Sequence, residues 1–380
     1  MTPDTAGTRV EEFYRERYFG TWAGREMCKG GAPGPDAVLV YSNDYLGIAG
    51  HPEILHAQVA SLRTVGNGVL MSGIFVRDDS DPQHVLERQF AEHLGVDRVV
   101  LCQSGWAANT GLLQTIAGPG DTVYIDTRAH MSLWEGARIA GARVVHFRHN
   151  TAEHLRTRLR SSGPGIVVVD SVYSGDGTVC PLVDIVELAG EYGCVVVVDE
   201  SHSLGTHGPY GGGLVRQLRL TAAVGFITAS LSKAFAGRAG LLTCGARFAD
   251  YFRYTALPAI FSSTLLPHDV AGLSAALRVI QVEEHRRVRL REVSARVRTG
   301  LLAAGVDIGG SQSQIVSLVA GEELQAMRLR DALEARGVFG SVFGPPATNR
   351  HRALVRLSLH AGLTDAEVDR IVRAVTELMA

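Results

Sequence analysis

Between about residue 98 and residue 245 the chain alternates short β-branched runs with amphipathic stretches. The runs predict strands at Val99–Leu101, Thr122–Ile125, Val144–Phe147, Ile166–Asp170, Val195–Asp199, Phe226–Ala229 and Leu241–Cys244. Helical patterns fall between them at Trp106–Ile116, His130–Ala140, Ala152–Ser161 and Pro181–Tyr192. Runs such as Val195–Val198 show no apolar–polar alternation, which fits strands covered on both faces, as in a parallel sheet flanked by helices. The order predicts an open α/β sheet of seven strands.

In such sheets ligands bind beyond the carboxyl ends of the strands. The polar residues that follow the strands are Gln103-Ser104-Gly105, Asp126 to His130, Asp170 to Ser174, Asp199 to His202 and Ser230 to Lys233. After about residue 270 the texture changes. An Arg-rich helical pattern (Glu283–Arg298) precedes strands near Ile315–Val319 and Leu354–Leu359, and an amphipathic helix spans Asp365–Met379. The expected division is an arm over residues 1–38 that packs on the small domain or on a partner, a large domain over 39–272, and a smaller α+β domain over 273–380.

Composition narrows the function classes. With 46% hydrophobic and 20% charged residues over 380 positions, the chain can bury a large core. A formal net charge of −2 gives no reason to expect nucleic-acid binding. No apolar run is long enough to span a membrane, and the first residues lack the apolar stretch of a signal peptide, so a cytoplasmic protein is expected. The five cysteines are scattered without a CxxC pair, which reads as buried free thiols and neither a metal site nor disulfides. Of 37 basic residues only Lys29 and Lys233 are lysines. Arginine handles solvation here, so a retained lysine can serve a task that needs a deprotonatable amine, such as a Schiff base, or it can be a surface residue left by chance.

Lys233 sits among small residues, Ser230-Leu231-Ser232 and Ala234-Phe235-Ala236-Gly237, that let backbone and a phosphate approach. Asp199 ends a buried strand, where a carboxylate can hold a ring nitrogen protonated or cap a helix. His202 can reach a ring oxygen or be a structural histidine. Ser104-Gly105-Trp106 opens a helix whose N–H groups can take a phosphate, and His130 can stack on a ring or simply start a helix. Each is weak alone. Their order in one α/β domain points to pyridoxal 5'-phosphate (PLP).

The same strings carry a family resemblance. Ser42–Gly47 (SNDYLG), Ser104–Asn109 (SGWAAN), Ala129–Ser132 (AHMS), Tyr173–Gly177 (YSGDG), Val198–Gly205 (VDESHSLG) and Ser230–Phe235 (SLSKAF) resemble the α-oxoamine synthases, fold-type I PLP transferases. Within that group, Ala129–Arg138, Asp199–Pro209, Thr228–Gly240, Pro258–Pro267 and Gly337–Thr348 are similar to the synthases of aminoketone quorum-sensing autoinducers. The resemblance implies that Lys233 carries the cofactor and moves the substrate Cα proton. It implies that Asp199 pairs with the ring nitrogen, that His130 stacks on the ring, and that His202 contacts its hydroxyl oxygen. Ser104, Gly105, Trp106 and Ser230 would hold the phosphate region, with Ser174 near the ring. Ser262 or Ser263 would reach the phosphate of a neighbouring subunit in a homodimer. Arg356 would bind the substrate carboxylate, and Asn43 and Tyr45 would border the entry of the acyl thioester.

The implied reaction joins an acyl-CoA to an amino acid with loss of CO2 and CoA and gives an α-aminoketone, either a signal or a biosynthetic intermediate. The implied donors are a medium-chain acyl-CoA and S-adenosylmethionine or 2-aminobutyrate. Relatives usually carry PPT where this chain has Pro345-Pro346-Ala347, which puts one contact to the amino acid in doubt. Trp106 stands where the wider group has a smaller aromatic. The rival readings are a PLP aminotransferase and a non-catalytic scaffold or regulatory partner. A nicotinamide dehydrogenase fails, because no GxGxxG follows the first strand.

Overall fold

The computed structural model describes residues 5–68, 70–76 and 79–379, so residues 1–4 of the expected arm and Ala380 lie outside the described residues. The chain divides into two compact units. The larger comprises Asn43–Ser174 and Val179–Leu290; the smaller comprises the chain up to Ser42, Gly175–Thr178 and the chain from Arg291 onward.

The larger unit is built on the seven predicted strands. They are β1 Arg98–Cys102, β2 Thr122–Asp126, β3 Arg143–Phe147, β4 Ile166–Asp170, β5 Val195–Asp199, β6 Phe226–Ser230 and β7 Gly240–Cys244. Their order in the sheet is β1-β7-β6-β5-β4-β2-β3. β7 runs antiparallel to both neighbours and the other pairings are parallel. Neighbouring positions of β4 explain why these strands lack alternation. Val167 and Val169 enter one apolar cluster, with Leu155 and Leu159 of helix Ala152–Ser162 and Leu182, Ile185, Val186, Leu188 and Ala189 of helix Leu182–Glu191. Ile166 and Val168 enter the cluster on the other face, with Leu112 and Leu113 of helix Gly105–Ile116 and Leu133 of helix Met131–Ile139. A strand covered on both faces must be apolar at every position.

The smaller unit holds an antiparallel sheet of β8 Ile315–Gly321, β9 Ser341–Phe343 and β10 Ala353–Ser358, in the order β9-β10-β8. Helices Glu323–Glu334 and Asp365–Met379 contribute Met327, Leu333, Val368 and Ile371 to its core. The N-terminal segment joins this unit through core residues such as Met27 and Val38 and through polar contacts, several of them on one carboxylate. Arg17 pairs with Glu323, and Trp22 Nε1 donates to Glu323 Oε2 at 2.6 Å.

Cys102, Cys180 and Cys244 are buried, whereas Cys194 is half-buried and Cys28 is exposed, so the expectation of buried thiols holds for three of the five. Cys28 lies in the segment before the first strand, where no apolar run draws it inside. Among the described residues no helix is long and apolar enough to cross a membrane.

Candidate active site

Three aspartates end parallel strands side by side: Asp126 on β2, Asp170 on β4 and Asp199 on β5, with Asp170 and Asp199 in direct register. Above this rim lies a cavity of about 230 Å3. It is lined by Ser104, Gly105, Trp106, Asn109, His130, Asp170, Ser174, Asp199, Ser201, His202, Ser230 and Lys233. The lining residues come from five strand ends, which is why distant stretches of sequence converge there.

Asp199 is held on both oxygens. Its Oδ2 accepts from Asn109 Nδ2 at 2.7 Å, and its Oδ1 accepts from the Ser201 backbone N–H at 2.8 Å. Asn109 belongs to helix Gly105–Ile116, and Thr228 Oγ1 of β6 donates to its Oδ1 at 2.5 Å. Next along the rim, His130 caps helix Met131–Ile139, with Ser132 Oγ 2.7 Å from its Nδ1. Its backbone N–H donates to Asp170 Oδ2 at 2.9 Å. Trp106 stands edge-on to the His130 ring, centroids 6.2 Å apart. His202 Nδ1 meets Tyr45 Oη at 2.7 Å, and the same hydroxyl donates to Asn43 Oδ1 at 3.2 Å.

One end of the cavity is a helix start. Ser104 caps helix Gly105–Ile116 by accepting from the Ala107 N–H at 3.1 Å. Gly105 is required by close packing, because a Cβ there would stand 2.7 Å from Ser230 Cβ. Gly240 is required by the same approach, because its Cβ would lie 2.0 Å from the Ser104 carbonyl oxygen. Backbone N–H groups at a helix start, with no side chain in the way, favour an anion such as phosphate.

The charge pattern is uneven. Burial pushes the Asp170 carboxyl well above the usual range, and Asp199 and Asp126 add to this by repulsion. Asp170 Oδ1 is buried with no hydrogen-bond partner among the described residues. His130 is open to the cavity on one side, yet desolvation lowers its pKa; Lys233 adds to that shift and Asp199 opposes it. Glu200, which follows Asp199, is fully buried, and desolvation raises it to about 7.

Nine of the residues expected from the sequence line this one cavity: Ser104, Gly105, Trp106, His130, Ser174, Asp199, His202, Ser230 and Lys233. Tyr45 and Asn43 stand behind His202 rather than on the wall. Ser262 and Ser263 lie away from the cavity of their own chain, with the Ser263 carbonyl accepting from Gln103 Nε2 at 2.5 Å. Arg356 is buried on β10 of the smaller unit, its guanidinium 4.7 Å from the Phe343 ring centroid. The wall also includes Asn109, Asp170 and Ser201, to which the sequence assigned no role. Asn109 was readable, since it lies four positions after Gly105 and therefore on the same helix face.

The group implied by the sequence fits. A carboxylate fixed by two donors suits a ring nitrogen, a helix start cleared by glycine suits a phosphate, and Lys233 is the amine on the same wall.

Comparisons with known proteins agree. Residues 35–375 match the family described as aminotransferase class I and II. The chain is 46% identical to the CAI-1 autoinducer synthase of Vibrio campbellii over 353 residues, covering 93% of this chain and 89% of that one. It is 34% identical to the 8-amino-7-oxononanoate synthase of Alkalilimnicola ehrlichii, covering 100% and 97%. A solved structure of serine palmitoyltransferase with its PLP internal aldimine superposes with a TM-score of 0.84 at 28% identity, covering 90% of this chain and 87% of that one.

Proposed function

The chain belongs to the family of class I and II aminotransferases, and from that premise we propose that it is a PLP-dependent α-oxoamine synthase that condenses an acyl-CoA with an amino acid, with decarboxylation, to an α-aminoketone. One observation carries the reading: Lys233, Asp199, His130 and His202 line a single cavity whose far end is the Ser104–Gly105 helix start. The donors implied by the motif resemblance, a medium-chain acyl-CoA and S-adenosylmethionine or 2-aminobutyrate, are the ones we propose.

When bound, PLP supplies an aldehyde for an amine and a protonated ring that takes electron density from the neighbouring carbon. The chain does the rest. Lys233 would hold the group through its amine, and the same amine would take the proton from substrate Cα and later return it to that carbon. Asp199, fixed by Asn109 and Ser201, keeps a negative charge at the ring nitrogen. His130 covers one ring face, and His202, steadied by Tyr45, meets the ring hydroxyl. The Ser104–Trp106 turn and Ser230 hold the phosphate, with Ser174 beside the ring. Arg356 takes the substrate carboxylate, and Asn43 and Tyr45 border the thioester entry. The new C–C bond would join Cα to the acyl carbon, CoA would leave as a thiolate that takes a proton from solvent, and the carboxyl group would leave as CO2. Ser262 or Ser263 serves the phosphate of the second subunit, so the active form is a homodimer in the cytoplasm.

The test is thiol and CO2 release by the PLP-loaded protein across a panel of acyl-CoAs and amino acids. Stoichiometric release of both, with one amino donor preferred, supports the condensation. Amino-group exchange with a keto acid and no thiol release would make the chain an aminotransferase. Failure to take up PLP at all would leave a scaffold or regulatory partner.

A further inference from the structure

The hydrogen bonds behind His130 form a chain whose proton directions can be deduced. Asp199 Oδ2 is a carboxylate oxygen and can only accept, so the Asn109 atom 2.7 Å away is the amide nitrogen. The Asn109 oxygen then faces Thr228 Oγ1, which donates to it at 2.5 Å. The second Asn109 N–H proton goes to Ser132 Oγ at 2.8 Å. Ser132 has one hydroxyl proton, and the acceptor left for it is His130 Nδ1 at 2.7 Å. The Ser132 backbone N–H also aims at Nδ1, at 3.3 Å. Two donors thus converge on one ring nitrogen, which must carry its lone pair there. Asn109, Ser132, Thr228 and Asp199 are all buried, so water does not substitute for the links among them.

We propose that Asn109 and Ser132 are positioning residues that hold the His130 imidazole neutral with its proton on Nε2, and that tie this state to the Asp199 carboxylate. The catalytic meaning of the inference rests on the cofactor reading above; the hydrogen bonds themselves belong to the chain. The imidazole over the ring then presents no positive charge to compete with the protonated ring nitrogen for Asp199, and it keeps an N–H donor on its Nε2 side. Protonating Nδ1 would force Ser132 Oγ to accept from both sides and leave its hydroxyl proton without an acceptor. The other groups around the imidazole are Asp199, Lys233, the Asp170 carboxyl at its backbone N–H, His202 across the cavity and the Trp106 edge.

The experiment uses the full chain with 15N-labelled histidine rings, with and without PLP, the His130 signals being assigned by their loss in His130→Gln. Long-range 15N–1H spectra are expected to show a protonated Nε2 and a bare Nδ1. In Ser132→Ala both tautomers should appear, and the His130 titration should move up by about one pH unit, a roughly tenfold gain in proton affinity. Ser132→Thr, which keeps the hydroxyl, should restore both. Asn109→Ala leaves Ser132 and His130 in place but frees the serine hydroxyl to turn, so it too should mix the tautomers. A merely structural role for Ser132 would lower the melting temperature without moving the tautomer or the titration. A proton on Nδ1 in the unsubstituted chain would overturn the proposal whatever the variants do. If the tautomer is as stated but the protein takes up no PLP, the hydrogen-bonded chain stands and the cofactor reading falls.

Discussion

At the scale of single residues, Lys233 and two of the rim aspartates, Asp170 and Asp199, make distinct predictions. Lys233→Ala should abolish the visible absorption of the bound cofactor and lower turnover by about 10³-fold or more, as expected when a positioned proton carrier is removed. Lys233→Arg should fail as badly, because a guanidinium stays protonated and cannot form the Schiff base. Absorption spectra and thiol release at saturating acyl-CoA check both. Asp170 should behave in the opposite way. Its carboxyl is pushed up by burial and by two neighbouring carboxylates, so the charged form is disfavoured there. A raised carboxyl contributes stability that is fully present below the ordinary carboxyl pKa and is lost as pH rises toward the folded-state value. Asp170→Asn mimics the protonated form. It should keep cofactor affinity within a few-fold and melt at an equal or higher temperature at pH 8, whereas Asp199→Asn should lose cofactor affinity. Thermal melts and PLP titrations of the two variants separate these cases, and a large loss of affinity in Asp170→Asn would show that the cavity needs its charge.

At the scale of elements, Glu200 couples the end of β5 to the short helix Gly213–Gln217. Its Oε1 accepts from the Leu214 and Val215 backbone N–H groups at 2.6 and 2.8 Å and from Ser203 Oγ at 3.1 Å, while Oε2 is buried with no hydrogen-bond partner among the described residues. Burial raises this carboxyl to about 7, so between its ordinary value and about 7 the folded chain keeps a proton that the unfolded chain has lost. Stability must therefore fall as pH climbs through that window. Glu200→Gln, which keeps the accepting oxygen, should flatten the curve of melting temperature against pH between about 5 and 8. A second element-scale prediction concerns Gly105→Ala, whose Cβ would meet Ser230 Cβ at 2.7 Å; separating the two strand ends should cost about 1–3 kcal/mol in unfolding experiments and weaken phosphate binding. The sheet was legible in the sequence because burial on both faces forces unbroken apolar runs, and Ile166–Asp170 and Val195–Asp199 match their predicted bounds. The cavity wall was legible because strand ends in a parallel sheet share one rim. The Asn109–Ser132–His130 connection was not. Hydrogen bonds between side chains on two helices and a strand follow from helix placement, which no periodicity reports, and the burial of Glu200 shows only once the strand before it is seen to end inside the protein.

At the scale of the whole molecule, the larger unit carries an apolar surface that a lone chain has no reason to keep. Met71 is 77% exposed and Phe261 is 80% exposed, with Leu70, Phe75 and Leu257 also open to solvent. Two segments far apart in sequence carry these side chains and are tied together. The Thr264 N–H donates to the Leu70 carbonyl at 3.0 Å, the Leu70 N–H donates to Thr264 Oγ1 at 3.0 Å, and Ser72 Oγ donates to the Ala259 carbonyl. Large exposed apolar groups held on an ordered surface mark an interaction site. Ser262 and Ser263 lie within the same segment, and Gln103, which precedes the Ser104 cap, donates to the Ser263 carbonyl. A second copy docking here would bring that serine pair toward the other chain's phosphate, as the proposed homodimer requires. The double variant Met71→Asp with Phe261→Asp should therefore sediment as a monomer and also lose PLP faster on dialysis than the unsubstituted protein. Ser262→Ala with Ser263→Ala should stay dimeric and yet lose PLP faster. The pair of results matters more than either alone. A monomer that holds PLP as tightly as the dimer would remove both serines from the site and leave each cavity complete within its own chain. A dimer that survives two aspartates on this surface would move the interface elsewhere.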